Sequence, residues 1–378
     1  MNRKFAALAV CAALVSGAAL AQPAVKVVGL VELSGAGATA GTNFKNGVEL
    51  AAKEINAAGG ILGRKIDFVS YDTQSQPGVA KGLAKRAVDE GAYVVMGPVF
   101  SGSVIVSMAE TRAAEITNFT GGEASNITAQ GNPYIFRGSF NQSAGMPKLA
   151  SYIAGDLKAR SVAIIFVNND FGKGGRDAMV KELGARNIKV AADISTESNQ
   201  ADFSAAVLRA KQSNADTLFA YLNEEESARL LRELRKQGYD KPILGETTLM
   251  GQKVIDLAGD AANGVRGHVG LTIDAPNPLV KAFADKYERE FKIKSDHNGI
   301  KGYTSMYVVK VATEKLGKFD SKALAQALHG GRFLVKDQPG LLMDVSFDEH
   351  GDLDRESYLV EVKAGKQVVT ATLPPLRK

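Results

Sequence analysis

The sequence predicts an α/β protein built as two doubly wound parallel-sheet lobes joined by a multi-crossover hinge. Three observations carry that prediction. Apolar runs of strand length alternate with segments of helical periodicity, the pattern of a parallel sheet covered by helices on both faces. The alternation begins at residue 25 and begins afresh near residue 160, so it occurs twice. The segment beyond residue 275 starts no third series and is too short for a core of its own, so it must complete the two lobes already begun.

The first element precedes the fold. Residues 1–21, MNRKFAALAVCAALVSGAALA, place Arg3 and Lys4 before an apolar run that ends in Ala19-Leu20-Ala21. A basic start, an apolar segment and a small-residue cleavage site make a secretory signal peptide, so the mature chain is predicted to be periplasmic. Cys11, in that leader, is the single cysteine of the 378 residues, which excludes disulfides and thiolate metal ligands from the mature protein. Leu8-Ala9-Val10-Cys11 resembles a lipoprotein cleavage site, but the apolar run before it is very short. No later stretch approaches the ~20 apolar residues of a membrane span. The formal charge of +5 falls by two when Arg3 and Lys4 leave, a balance that indicates no nucleic-acid partner.

Residues 25–33 form a continuous apolar run, the mark of a strand buried on both faces. In the helix predicted over 42–58, Phe44, Val48, Ala52 and Ile55 recur at helical spacing, and Gly59-Gly60 stops it. Strand 66–71, helix 77–90, strand 93–96, helix 103–114 and strand 116–119 finish the first series. The second runs through strand 161–167, helix 173–186, strand 190–194, helix 202–213, strand 217–222, helix 224–237 and strand 242–244. Segments 278–294, 301–316 and 322–329 are helical. A hairpin, 358–363 with 367–372, turns at Ala364-Gly365. Crossings between lobes are expected near 138–142, 271–276 and 344–350. One lobe is then 22–141 plus 275–345, and the other 142–274 plus 346–378.

Ligands of open parallel sheets sit beyond the carboxyl ends of the strands, where helix N-termini converge. The residues predicted there are Ser101-Gly102-Ser103 and Thr120-Gly121-Gly122-Glu123 in the first half, and Asn168-Asn169-Asp170-Phe171, Asn223-Glu224 and Glu246-Thr247-Thr248 in the second. Ser101-Gly102-Ser103 reads as a small open turn before a helix. Unpaired amides and the positive helix end favour an anion there. Hydroxyls add donors, Gly102 admits close approach, and Thr120-Gly121 could close the other side of a carboxylate. The plainer reading of Ser101 is a helix N-cap.

Other chemistries fit less well. GAGATAG at 35–41, with Asp67 and Asp72 downstream, is one residue too long for a dinucleotide fingerprint, and no cofactor is predicted. His268, His297, His329 and His350 stand at none of those strand ends, and Val99 breaks a nucleophile elbow around Ser101. Glu224-Glu225-Glu226 reads as the acidic opening of a helix. Without a base beside a nucleophile, no enzyme is predicted.

FKNGVELAAKEINAAGGILGRKIDFVSYDTQSQPGVA followed by GAYVVMGPVFSGS resembles the type I periplasmic binding proteins, and most of all their leucine/isoleucine/valine-binding branch, which serves ABC importers. The resemblance runs from about residue 25 to the C-terminal hairpin. It implies that Ser101 grips a ligand carboxylate, helped by Gly121 and Glu123, with Phe171 on the facing lobe and Tyr303 near the hinge. The acid that meets the ligand's amino group in that family aligns with Thr247, with Glu246 one place early, and Ala40 lacks an aromatic that some relatives carry. The expected function is that of a periplasmic substrate-binding component of an ABC importer, taking a branched-chain or related amino acid to a membrane permease. Asn223 and either Glu246 or Thr247 would complete the second lobe's contacts. The alternatives are a receptor for an aromatic or aliphatic carboxylate or a small amide, and a sensing subunit for a membrane kinase.

Overall fold

A computed structural model of the chain describes residues 22–376, so the predicted leader lies outside the described residues. The first sheet is laid down by β1 (Val25–Val31), α1 (Ala38–Ala57), β2 (Ile66–Asp72), α2 (Pro77–Asp89), β3 (Val94–Met96), α3 (Ser101–Ala113), β4 (Thr117–Thr120), the short α4 (Asn126–Ala129) and β5 (Ile135–Arg137). Its five strands are all parallel, in the order β2-β1-β3-β4-β5. Such pairing needs a crossover helix between strands, which is why helical patterns separate the apolar runs.

The second sheet follows from α5 (Gln142–Gly155), β6 (Ser161–Val167), α6 (Asp170–Ala185), β7 (Lys189–Thr196), α7 (Ser204–Gln212), β8 (Thr217–Tyr221), α8 (Glu224–Lys236), β9 (Ile243–Gly245), α9 (Gln252–Ala258) and β10 (Arg266–Val269). The chain then returns to the first sheet's side with α10 (Pro278–Phe291), α11 (His297–Leu316), α12 (Ser321–Leu328) and a two-stranded ribbon of β11 (Arg332–Phe333) and β12 (Val345–Ser346). It ends in the hairpin of β13 (Ser357–Lys363) and β14 (Lys366–Leu373), which adds two antiparallel strands beside β10. The order is β14-β13-β10-β9-β8-β6-β7. Ala364 and Gly365, both at positive φ, form the hairpin turn.

The two long helices α1 and α11 pack at backbone distance. A Cβ on Gly47 would lie 2.1 Å from the Gly299 carbonyl oxygen, and one on Gly302 2.2 Å from that of Phe44. Phe44, Val48 and Ile55 of α1 share the main core with Ile300, Tyr303 and Val308 of α11. Each such fully buried side chain contributes about 1.5–3 kcal/mol. That packing fixes the start of α11, whose first turn matters below.

Four helices start two or more residues earlier than predicted, while α7 starts two residues late. α1, α3, α6 and α11 begin at 38, 101, 170 and 297, two to four residues before the apolar periodicity starts. Ser101-Gly102-Ser103 is therefore the first turn of α3 and not an open turn before it. The N-cap is Phe100, with no side-chain cap, so Ser101 is not an N-cap either. Helices α5 and α9 and strands β5 and β10 were not predicted. Gly145 and Pro147 interrupt the pattern of α5, and β10 carries Arg266 and His268 in only four residues.

Candidate functional site

Each sheet reverses its strand order once, between β1 and β3 in the first and between β6 and β8 in the second. Loops leaving the strand ends diverge at such a point and leave a crevice. The two crevices face each other across a cavity of about 480 Å³. Its lining comes from Gly35 and Ala36 after β1, Val99 to Ser103 after β3, Asn169 to Phe171 after β6, and Asn223 and Glu224 after β8. The first turn of α11 adds His297 and Asn298, with Lys301 behind them.

The α3 side is a set of donors. Glu32, buried at the end of β1, accepts the amides of Val99 and Phe100 at 3.1 Å each and so fixes the approach to α3. Burial raises its carboxyl to about 7, with those two amides pulling the other way. The first-turn amides of α3 have no helical acceptor. Ser101 Oγ accepts the amides of Glu123 at 3.3 Å and Ala124 at 3.2 Å, which leaves its own hydrogen for another acceptor. Ser103 Oγ is buried and has no partner among the described residues.

The 120–124 loop braces this end with amides that are already paired. The Gly121 amide donates to Pro98 O at 3.1 Å and the Gly122 amide to Thr120 Oγ1 at 3.0 Å. With the next two amides on Ser101, the loop has none left to offer a carboxylate. Thr120 donates its hydroxyl to Pro98 O at 2.8 Å and lies outside the cavity lining. Gly121 and Glu123 stay within it. The Glu123 carboxylate holds Lys301 Nζ at 2.8 Å, and Lys301 also donates to Gly121 O at 3.3 Å.

On the facing wall, Phe171 stacks on Tyr221 with ring centroids 4.3 Å apart. Gln142 Nε2 steadies the pair, donating to Phe171 O at 2.8 Å and Tyr221 Oη at 3.0 Å. Asn223 lines the cavity while its side chain donates to Glu226 Oε2 at 2.9 Å in the capping box of α8.

Three further residues expected at the site lie outside the lining. Glu246 turns away from the cavity, both oxygens 3.0 Å from His268 Nδ1. Thr247 Oγ1 accepts the Gly270 amide at 3.3 Å. Both residues bend back towards β10 after β9 ends, and Thr248 is the residue of that loop in the lining. Tyr303 donates to Glu54 Oε2 at 2.6 Å within the α1–α11 contact, also outside the lining. Asp72, the acid after GAGATAG, accepts the amides of Leu33, Ser34 and Gln74 and the Ser34 hydroxyl, so it holds that loop.

The lining also holds residues to which no binding role was assigned. Glu224 is buried, and burial, aided by nearby Asp296 and Glu225, raises its carboxyl to about 8 against the pull of its own amide and Lys301. Outside the lining, Asp296, the N-cap of α11, is raised to about 6 by burial, opposed by the amides of Asn298 and Gly299. His297 is pushed well below the ordinary imidazole range by burial and by Lys301. The signal for this group was the N-cap residue Asp296, five residues before the predicted start of the helix. Among the described residues no cluster of His, Cys, Asp or Glu is placed to hold a metal, and no helix is long and apolar enough to cross a membrane.

Residues 24–367 match the family model described as periplasmic binding protein. A Leu/Ile/Val-binding protein of Rhizobium johnstonii is 30% identical over 347 residues, which are 90% of this chain and 92% of that one. The Leu/Ile/Val-binding protein of Escherichia coli K12 is 28% identical over 92% of this chain and 93% of its own. In fold, the chain is similar to a leucine-binding protein of Thermotoga maritima, with a TM-score of 0.85 and 22% identity over 93% of this chain and 99% of that one. It is equally similar to an ABC-transporter solute-binding protein of R. palustris in complex with benzoate, with a TM-score of 0.85 and 23% identity over 94% and 98%.

Proposed function

Because this chain belongs to the periplasmic binding protein family, we propose that it is the substrate-binding component of an ABC importer, closing two lobes on a small amino acid, branched-chain or related. Residues 22–141 with 275–345 form one lobe and 142–274 with 346–378 the other. Residues 1–21 direct export to the periplasm, where the loaded protein meets a membrane permease. The family is one of solute-binding proteins, and the reading includes no chemical step.

The observation that supports it best is the donor set at α3. The hydroxyls of Ser101 and Ser103 and the first-turn amides meet at the cavity, where a carboxylate would accept them. Phe100, Phe171 and Ala40 supply apolar walls for an aliphatic side chain. Closure excludes water, and the polar contacts strengthen as the local dielectric falls.

A thermal-shift screen of solute-stripped protein tests this. A solute at ~100 times its Kd adds about 2.7 kcal/mol of stability and raises Tm by several degrees. A shift with leucine, isoleucine or valine supports the reading; no shift with any small carboxylate overturns it. A second reading, a carboxylate that lacks an amine, is favoured by the withdrawal of Glu246 and Thr247 from the cavity.

A further inference from the structure

A carboxylate held at α3 turns the rest of the cargo towards α8 and α11, where two oxygen acceptors have no partner to serve. Helix α8 opens with three acids. Glu225 accepts the Thr39 hydroxyl at 2.9 Å, and Glu226 accepts the amides of Asn199 and Asn223. Glu224 has neither task. It is 4% exposed, its carboxyl meets only its own amide, and among the described residues no other group donates to it. Asn298, on α11, is 1% exposed. Its Nδ2 donates to Asp296 Oδ2 at 3.4 Å, which turns Oδ1 the other way, buried and without a donor.

Buried residues whose acceptors go unused towards a cavity are costly unless a donor arrives. Because one of them is a carboxyl, the donor that suits it best is a cation. The nearby cation of the protein, Lys301, is turned to Glu123 at 2.8 Å and to Gly121 O at 3.3 Å, and makes no hydrogen bond to Glu224 among the described residues. We infer that Glu224 and Asn298 read the amino group of the cargo, which makes the cargo an amino acid and not its deaminated counterpart. This rests on the solute-binding reading above and assigns to Glu224 the role that the sequence placed at Glu246 or Thr247.

The charge balance gives the assignment its own signature. Asp296, Glu225 and Lys301 act on Glu224, Asp170 and Glu123 line the same cavity, and His297 there is neutral. Burial and the facing acids keep Glu224 protonated in the empty cavity at pH 7. An arriving ammonium displaces that proton to solvent, leaving carboxylate against ammonium.

Isothermal titration calorimetry of solute-stripped protein reads both selectivity and proton release, using two buffers of different ionisation enthalpy. The solutes are the common amino acids, the deaminated counterparts of the branched-chain ones, and benzoate. The expected result is about tenfold or greater preference for an amino acid over its deaminated counterpart, with a proton released at pH 7. Glu224→Gln should lose about tenfold or more for the amino acid, keep the deaminated acid within about threefold, and abolish proton release. A wild-type protein that prefers the deaminated acid or benzoate, or that binds amino acids without releasing a proton, overturns the inference, and neither measurement needs a variant. So does a folded Glu224→Gln that loses both solutes equally or neither. Failure to bind any carboxylate would instead remove the solute-binding reading itself.

Discussion

Ser101 joins two jobs in one hydroxyl. It accepts two amides of the 121–124 loop and keeps its proton for the cavity, so Ser101→Ala removes a ligand donor and unpairs a loop at once. We expect carboxylate affinity to fall by about 1.5–3 kcal/mol, the worth of a hydrogen bond to a charged group, with a loss of stability of about 1 kcal/mol as well. Ser103→Ala should lower affinity alone, since its hydroxyl has no partner among the described residues. Calorimetry and thermal unfolding separate the two effects. Glu224 makes a prediction with a sign. The unfolded chain ionises it near the ordinary 4.5, the folded empty protein only near about 8. Between those values the unfolded state holds fewer protons, so the contribution of Glu224 to stability falls as pH rises. Glu224→Gln removes that slope, and the Tm of the empty variant should gain on wild type steadily from pH 5 to pH 8. Arg137 is fully buried and donates to Asp352, Gly122 O and Ala124 O, tying the 120–124 loop to the third crossing segment. Arg137→Ala strands Asp352 and should cost about 3–5 kcal/mol in urea unfolding.

At the scale of the element, the missed residues share a cause. Apolar periodicity locates the part of a helix that packs on a sheet. The first turns of α3, α6 and α11 face the cavity instead, and there they carry Ser101, Asp170, His297 and Asn298. A pattern search therefore starts these helices late, by the turn that bears the site. The strands and the middles of the helices were legible because burial on a sheet leaves a period in the sequence. The donor end of the site was legible too, since a serine pair beside a glycine at a strand end needs only local geometry. The acceptor end was not. Which of Glu224, Glu225 and Glu226 faces inwards depends on the rotation of α8 and on the partners each finds, and Thr248 in place of Thr247 depends on the bend after β9. The helix contact behind the site offers a test by contrast. Gly47→Ala would press a methyl into the Gly299 carbonyl and should destabilise by about 1–3 kcal/mol while shifting the first turn of α11. Gly82→Ala in α2, where a Cβ meets nothing within 4 Å, should stabilise by about 0.4–1 kcal/mol. Urea unfolding of the two variants should move in opposite directions.

For the whole molecule, three chain segments join the two sheets, and the proposed closure would turn one sheet against the other about them. The segments are 138–141, 270–277 and 347–356, and the first and third run side by side through the Phe140 and Leu353 bridge. Far from them, at the mouth of the cavity, the two sides already touch. Thr39 on α1 donates to Glu225 on α8 at 2.9 Å. Gly102 on α3 lies so close to α6 that a Cβ there would sit 2.8 Å from Asp170 Oδ2. These contacts join the two sides directly, and a solute that touches both walls would favour an arrangement that keeps them by its differential affinity for it. A small side chain at 102 would need only the exposed Asp170 carboxylate to turn aside, but a large one would press on α6, while α3 itself would accept either without strain. Gly102→Leu should fold with near wild-type stability yet hold the mouth open. Small-angle scattering should show wild type contracting when an amino acid is added and Gly102→Leu not contracting, with affinity reduced about tenfold or more. Thr39→Val should contract normally and lose about threefold, the worth of one neutral hydrogen bond. If Gly102→Leu contracts as wild type does, the mouth contact is incidental and closure is set elsewhere.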